Sequence, residues 1–209
     1  MKKFTVFLLA LLVLLSYSSF GYTQNSPVKF GVRGGLNLAT VTEDVEGADK
    51  KMRMVFGAGG LLEYAFSPTA AIQVNAMYSM KGAKYEATEG EGKMNLKFAY
   101  LSIPILGKVA FGEGSAKPYV CAGPEIGILL SSKAEFTNGE SEEEDIKDES
   151  ESMEFALNFG AGVQFPMGNM TGFVDARYGL GLSKVNKEGD EDVKNNVIFI
   201  NFGLLFGGQ

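Results

Sequence analysis

The chain predicts an all-β fold, an eight-stranded antiparallel up-and-down barrel whose strands cross a membrane. Three observations predict it. About eight segments alternate bulky apolar residues with small or polar ones, the period of a strand, and no helical period recurs between them. Their connections alternate strictly between short and long. Finally, the charged residues within the segments all fall on the small-residue face.

The first element is not part of the barrel. Lys2 and Lys3 precede an apolar run from Phe4 to Leu15. Roughly a dozen residues is too short for a membrane-spanning helix. With small polar residues after it, the run reads as a secretory signal peptide over 1–23, cut after Gly21 or Thr23. A buried first helix is disfavoured because nothing later in the chain offers it a helical partner. The domain expected to remain is 24–209.

The barrel segments follow in order. "VKFGVRGGLNLA" (28–39) sets Phe30, Val32, Leu36 and Leu38 against Lys29, Gly31, Arg33, Gly35 and Asn37. "MVFGAGGLLEYAF" (54–66) sets Phe56, Leu62 and Tyr64 against Gly57, Gly59 and Glu63. "AIQVNAMYSMKG" (71–82) sets Ile72, Val74 and Tyr78 against Gln73, Asn75, Ser79 and Lys81. "YLSIPILGKVAF" (100–111) sets Leu101, Ile103 and Ile105 against Ser102, Pro104 and Lys108.

"PYVCAGPEIGILL" (118–130) places Val120, Ile126 and Ile128 opposite Gly123, Glu125 and Gly127. In 155–165, Phe155, Leu157, Phe159, Val163 and Phe165 oppose Ala156, Asn158, Gly160, Gly162 and Gln164. In 174–183, Val174, Tyr178, Leu180 and Leu182 oppose Asp175, Arg177, Gly179 and Gly181. The last segment, 197–206, puts Ile198, Ile200, Phe202 and Leu204 opposite Asn201 and Gly203. Pro104 and Pro124, awkward within central strands, are expected to mark local bulges.

A soluble sheet would carry Lys, Glu and Thr on its second face. Here that face is largely Gly, Ala and amides. A membrane barrel explains the pattern: the greasy face meets lipid, and the other lines a lumen that about eight strands leave just wide enough for side chains to fill. The sheet must close, because an open edge would leave backbone groups unpaired in hydrocarbon. Lys29, Arg33, Glu63, Lys81, Lys108, Glu125, Asp175 and Arg177 are the expected interior charges. They should pair, since an isolated buried charge is very costly. A first hairpin centred near residue 46 would set Lys29 opposite Glu63.

The connections 67–70, 112–117 and 166–170 are short, and 40–51, 83–97, 131–153 and 184–196 are long and polar. Bacterial outer-membrane barrels have short periplasmic turns and long extracellular loops; a Greek-key sandwich gives no reason for the alternation. Residues 135–154 hold ten acids and one Lys. They lack the spaced Asp and Asn of a calcium loop and read as a solvated loop at the outer rim. Gly-Gly at 34–35 and 59–60 lacks the Lys-Ser/Thr of a phosphate loop.

Composition narrows the function. Loss of Lys2 and Lys3 takes the net charge from −6 to about −8, which disfavours nucleic acid as a partner. Cys121 is the only cysteine, so no intramolecular disulfide is expected. With no histidine, the chain lacks the usual base of outer-membrane hydrolases. We therefore expect no catalytic residues, no cofactor and no metal site.

"KFGVRGGLNLATV" (29–41), "YSMKGAKY" (78–85), "YLSIPILGK" (100–108), "KPYVCAGPEIGILLSSK" (117–133) and "VDARYGLGLSKV" (174–185) together resemble the PorT-like outer-membrane β-barrel domain family of Bacteroidota. The resemblance implies an eight-stranded outer-membrane barrel described as porin-like, with some relatives taking part in secretion. The chain departs from such barrels in ending Phe206-Gly-Gly-Gln rather than on an aromatic residue. The expectation is a monomeric barrel embedded in outer-membrane lipid, with a packed polar interior. Its loops would act in surface interaction or as an envelope-assembly or secretion accessory with a protein partner. The alternatives are a narrow porin-like channel and a soluble lipocalin-like binding barrel.

Overall fold

The computed structural model describes residues 27–88, 92–138, 140–187 and 192–207, so the predicted signal peptide lies outside the described residues. The strands are β1 (Val28–Val41), β2 (Ala48–Ala65), β3 (Ala70–Ala87), β4 (Lys93–Ala110), β5 (Lys117–Asn138), β6 (Glu140–Asp145), β7 (Met153–Met167), β8 (Met170–Gly181) and β9 (Asn195–Phe206). Eight of them close a ring. β1 pairs β2 and the order runs on through β3, β4, β5, β7, β8 and β9, which pairs back to β1; every pairing is antiparallel. β6 stands outside the ring and, among the described residues, pairs only the far end of β5.

The orientation of the faces follows the alternation. Phe159 is 45% exposed and Phe202 66%, whereas Arg33 and Asp175 are each 3% exposed. Bulky residues therefore point out of the ring and charges into it. On β7 the outward run from Phe155 to Phe165 spans about the 9–11 residues a tilted membrane strand needs. Tyr64, Phe66, Phe111 and Phe165 face outward near the short turns, and Phe30 stacks on Phe206 at 5.6 Å. This is the interfacial aromatic girdle of such barrels. The lipocalin-like alternative, which needs the reverse arrangement, is excluded.

Three expectations are corrected. First, three of the four long connections are shorter than the sequence suggests. β2 starts at Ala48 instead of Met54, β3 runs on to Ala87, β4 begins at Lys93 and β5 continues to Asn138. For β2 and β5 the reason is phase. One extra β2 residue between Met52 and Gly57 and one extra β5 residue opposite Ala99/Tyr100 are β-bulges. Each bulge shifts the alternation by one position, so the period-two signal breaks before the strand does.

Second, the acidic stretch is not simply loop: β5 and β6 form a hairpin with Phe136 opposite Glu142 and Ala134 opposite Glu144. Third, Pro104 and Pro124 mark no bulge. The β4–β5 ladder lapses between Pro104 and Gly107 and then resumes in the same register. Each proline removes one donor from a closed wall, which loses a bond but keeps its alignment.

Because β2 to β5 outrun the other strands, they rise beyond the apolar band and, with β6, make a five-stranded platform at the long-loop end. Its inner side packs Ala83, Tyr85, Phe98 and Leu129 against Val185 and Val193 from the β8–β9 connection.

Candidate functional site

The lumen carries seven of the eight predicted charges in three groups. Nearest the short turns, Lys108 Nζ donates to Glu63 Oε2 and to Gln164 Oε1, both at 2.8 Å, and lies 4.3 Å from the Tyr119 ring centroid. Above it, Arg33 Nη2 donates to both oxygens of Asp175 at 2.9 Å. Asp175 also accepts from Tyr119 Oη at 3.0 Å and Asn201 Nδ2 at 2.9 Å, with Arg177 Nε 3.3 Å away. Higher still, Lys81 Nζ bridges Glu125 Oε1 at 2.9 Å and Glu154 Oε2 at 3.1 Å, and Asn158 Nδ2 donates to Glu125 Oε2 at 2.8 Å.

Glycine makes these positions possible. Arg33 is flanked across the ladders by Gly59 and Gly203, Arg177 by Gly160, Asp175 by Gly162 and Glu154 by Gly127. A Cβ on Gly160 would come within 2.5 Å of Arg177 Cγ, and one on Gly162 within 2.7 Å of the Tyr119 ring. The near-empty face of each strand is therefore the space its neighbour's charged side chain occupies.

Two details differ from expectation. Lys29 does lie opposite Glu63 in the register, but the ion pair at Glu63 is made by Lys108. Lys29 sits half-buried at the short-turn rim, lining a shallow cleft with Lys117 and Gln164. Glu154, 1% exposed, was missed. It lies one residue before the segment read as strand, and continuing the alternation from Ala156 back by two would have found it. The changes balance the charges: Arg33, Lys81, Lys108 and Arg177 are buried against Glu63, Glu125, Glu154 and Asp175. Within that neutral whole, the Lys81 group holds one excess anion and the Arg33 group one excess cation. The buried side-chain atoms without a partner among the described residues include Glu154 Oε1, Asn158 Oδ1 and Asn195 Oδ1 beside the first, and Arg33 Nε and Arg177 Nη1 beside the second.

The platform is the second candidate. Its convex face is an ion-pair lattice. Glu86 pairs with Lys51 and, at 2.7 Å, with Lys84. Glu143 pairs with Lys133 and, at 2.9 Å, with Lys97, which also holds Glu135 at 3.1 Å. The neighbouring ammoniums hold the Glu143 carboxyl down at about 2, Lys133 contributing most, and Lys51 and Lys84 do the same for Glu86. Its concave face has a cleft of about 260 Å³ lined by Val45, Ala48, Tyr85, Met94 and Phe136.

A closed antiparallel ring, apolar outside and ion-paired within, defines a small transmembrane β-barrel. The family model described as "Outer membrane protein beta-barrel domain" matches residues 20–187, and the chain belongs to that family. It is an outer-membrane protein. The matching family is broader than the PorT-like group its motifs resemble. Among solved structures, Neisserial surface protein A is similar at 16% identity and a TM-score of 0.53, covering 87% of this chain and 97% of that one. The N-terminal β-barrel domain of Pseudomonas aeruginosa OprF aligns at 13% identity and a TM-score of 0.42, over 88% of this chain and 100% of that one. Ail of Yersinia pestis aligns at 19% identity and a TM-score of 0.41, over 85% and 98%. No curated protein matches the chain significantly.

Proposed function

We propose that the protein is a monomeric surface-interaction barrel, acting on a protein partner through its extracellular platform rather than by catalysis or by conducting solutes. The observation that carries this reading is the contrast between lumen and platform. The lumen's central charges are spent on one another at 2.8–3.1 Å, in a barrel of a size that side chains fill. The platform, by contrast, opens an apolar cleft to the outside. Long loops of such barrels face the extracellular side, and function concentrates on segments held by a rigid scaffold. An envelope-assembly or secretion accessory, as the PorT-like resemblance suggests, would be one form of this role.

Two measurements test it. A photo-cross-linker replacing Phe136 in intact cells is expected to give a discrete protein adduct that the same group at lipid-facing Phe202 does not. Purified protein in planar bilayers is expected to show no stable conductance. Stable general-diffusion conductance with no adduct at 136 would replace this reading with the narrow channel.

A further inference from the structure

We propose that the concave face of the platform binds an extended basic peptide segment and takes one of its apolar side chains into the cleft. This rests on the surface-interaction reading and names the partner's chemistry. The register builds the site. Lys50, Tyr85, Met94, Phe136 and Glu142 lie side by side across β2 to β6. Three apolar side chains are thus adjacent, and the row ends on the acidic strand. Tyr85 forms the floor, 2% exposed, its hydroxyl donating to the Glu43 carbonyl at 2.9 Å. Phe136 and Val45 form walls, 45% and 37% exposed. These aromatic and aliphatic walls lie outside the apolar band that lipid covers.

Size decides what enters. About 260 Å³ falls below the ~300–1,000 Å³ typical of small-molecule pockets. It exceeds the ~150 Å³ apolar cavity that takes up a benzene in a model protein. One Leu or Phe side chain fits; a whole cofactor or lipid does not.

Charge decides what carries that side chain. On the convex face Glu86, Glu135 and Glu143 are each neutralised by lysine. The acids flanking the concave side are not: Glu43, Glu142 and Glu144 make no ion pair among the described residues, Lys50, the nearest cation of the row, is taken by Asp44 at 2.7 Å, and Lys93, from the adjacent row, is the single cation lining the cleft among the described residues. Glu142 and Glu144 project to the same side as Phe136 and Ala134, their register partners. Among the described residues β6 has no second strand partner, so its free edge offers backbone groups to an extended chain. An apolar socket beside unneutralised carboxylates complements a segment that alternates Lys or Arg with an apolar anchor.

The test uses the full mature protein folded in lipid nanodiscs and three fluorescein-labelled synthetic peptides, read by anisotropy. One alternates Lys with Phe and Leu, the second has Ser at every anchor, and the third has Glu in place of each Lys. The first is expected to bind saturably, the second more weakly on the order of tenfold, and the third not at all. Phe136→Ser and Met94→Ser are expected to bring the first peptide's affinity to that of the second, whereas convex-face Lys84→Gln leaves it unchanged. Glu142→Gln with Glu144→Gln should weaken both cationic peptides and flatten their salt dependence. Heat-shifted gel mobility verifies that each variant barrel is folded. Equal binding of the first two peptides, tighter binding of the third, or no loss in a folded Phe136→Ser variant would overturn the proposal. A discrete cellular adduct at position 136 to an acidic partner would defeat this inference but leave the surface-interaction reading standing. No adduct at all would defeat that reading.

Discussion

Removing the Asp175 carboxylate should be among the most damaging single changes in the lumen. Asp175 takes a two-oxygen contact from Arg33, a phenol from Tyr119, an amide from Asn201 and the nearby Nε of Arg177. Asp175→Ala leaves two guanidiniums buried with no counter-charge in their group. Breaking a buried pair by removing one partner costs about 3–5 kcal/mol. With a urea slope near 2 kcal/mol/M, the unfolding midpoint of the protein in phospholipid vesicles should fall by about 2 M. Circular dichroism or gel mobility can follow it. Arg33→Met combined with Asp175→Leu should recover only part of the loss, because desolvation of that pair disappears with both charges while Arg177 stays buried without a carboxylate. A midpoint for Asp175→Ala within about 0.3 M of the parent, at that slope about 0.6 kcal/mol, would show that Asp175 is not the counter-charge on which the two guanidiniums depend.

The Lys81 group has the opposite imbalance and should respond in the opposite sense. Lys81→Met strands Glu125 and Glu154 together and is expected to destabilise by about 3–5 kcal/mol. Glu154→Gln, which removes the excess anion and keeps the shape, should change stability by less than about 1.5 kcal/mol; the same unfolding assay separates them. The platform should loosen in acid while the barrel persists. Glu143 and Glu86 are held at about 2 against an ordinary 4.5, so their stabilisation is full above about 4.5 and is lost as pH falls toward 2. Hydrogen-exchange protection of β5–β6 amides should decline over that window and stay constant above it; a flat profile would remove these ion pairs as a stabilising feature.

The faces were legible in the sequence because lipid and a narrow lumen both act residue by residue. Phe159 beside Gly160 and Asp175 opposite Gly162 declare their sides without reference to the rest of the chain. Strand length was less legible. The platform lies above the lipid, where the outward face turns to Lys84, Lys97 and Glu135, and the bulges near Met52 and Leu130 reset the alternation at that boundary. The pairing of charges was not legible at all beyond sign. Lys29 and Glu63 are register neighbours, yet Lys108 reaches Glu63 from β4, two strands around the ring. That choice depends on where long side chains meet across a closed lumen, which no local pattern encodes. The Tyr85–Met94–Phe136 row was hidden for the same reason, since it exists only once three strands and a bulge are in register.

Hydrocarbon side chains face lipid and charges face the lumen, and the absence of tryptophan from the chain permits a direct test. Single reporters Phe202→Trp, outward, and Phe199→Trp, inward, can be folded into vesicles of lipid brominated along the acyl chain. Strong quenching at 202 with little at 199 is the predicted result. Quenching at 199 with none at 202 would contradict it.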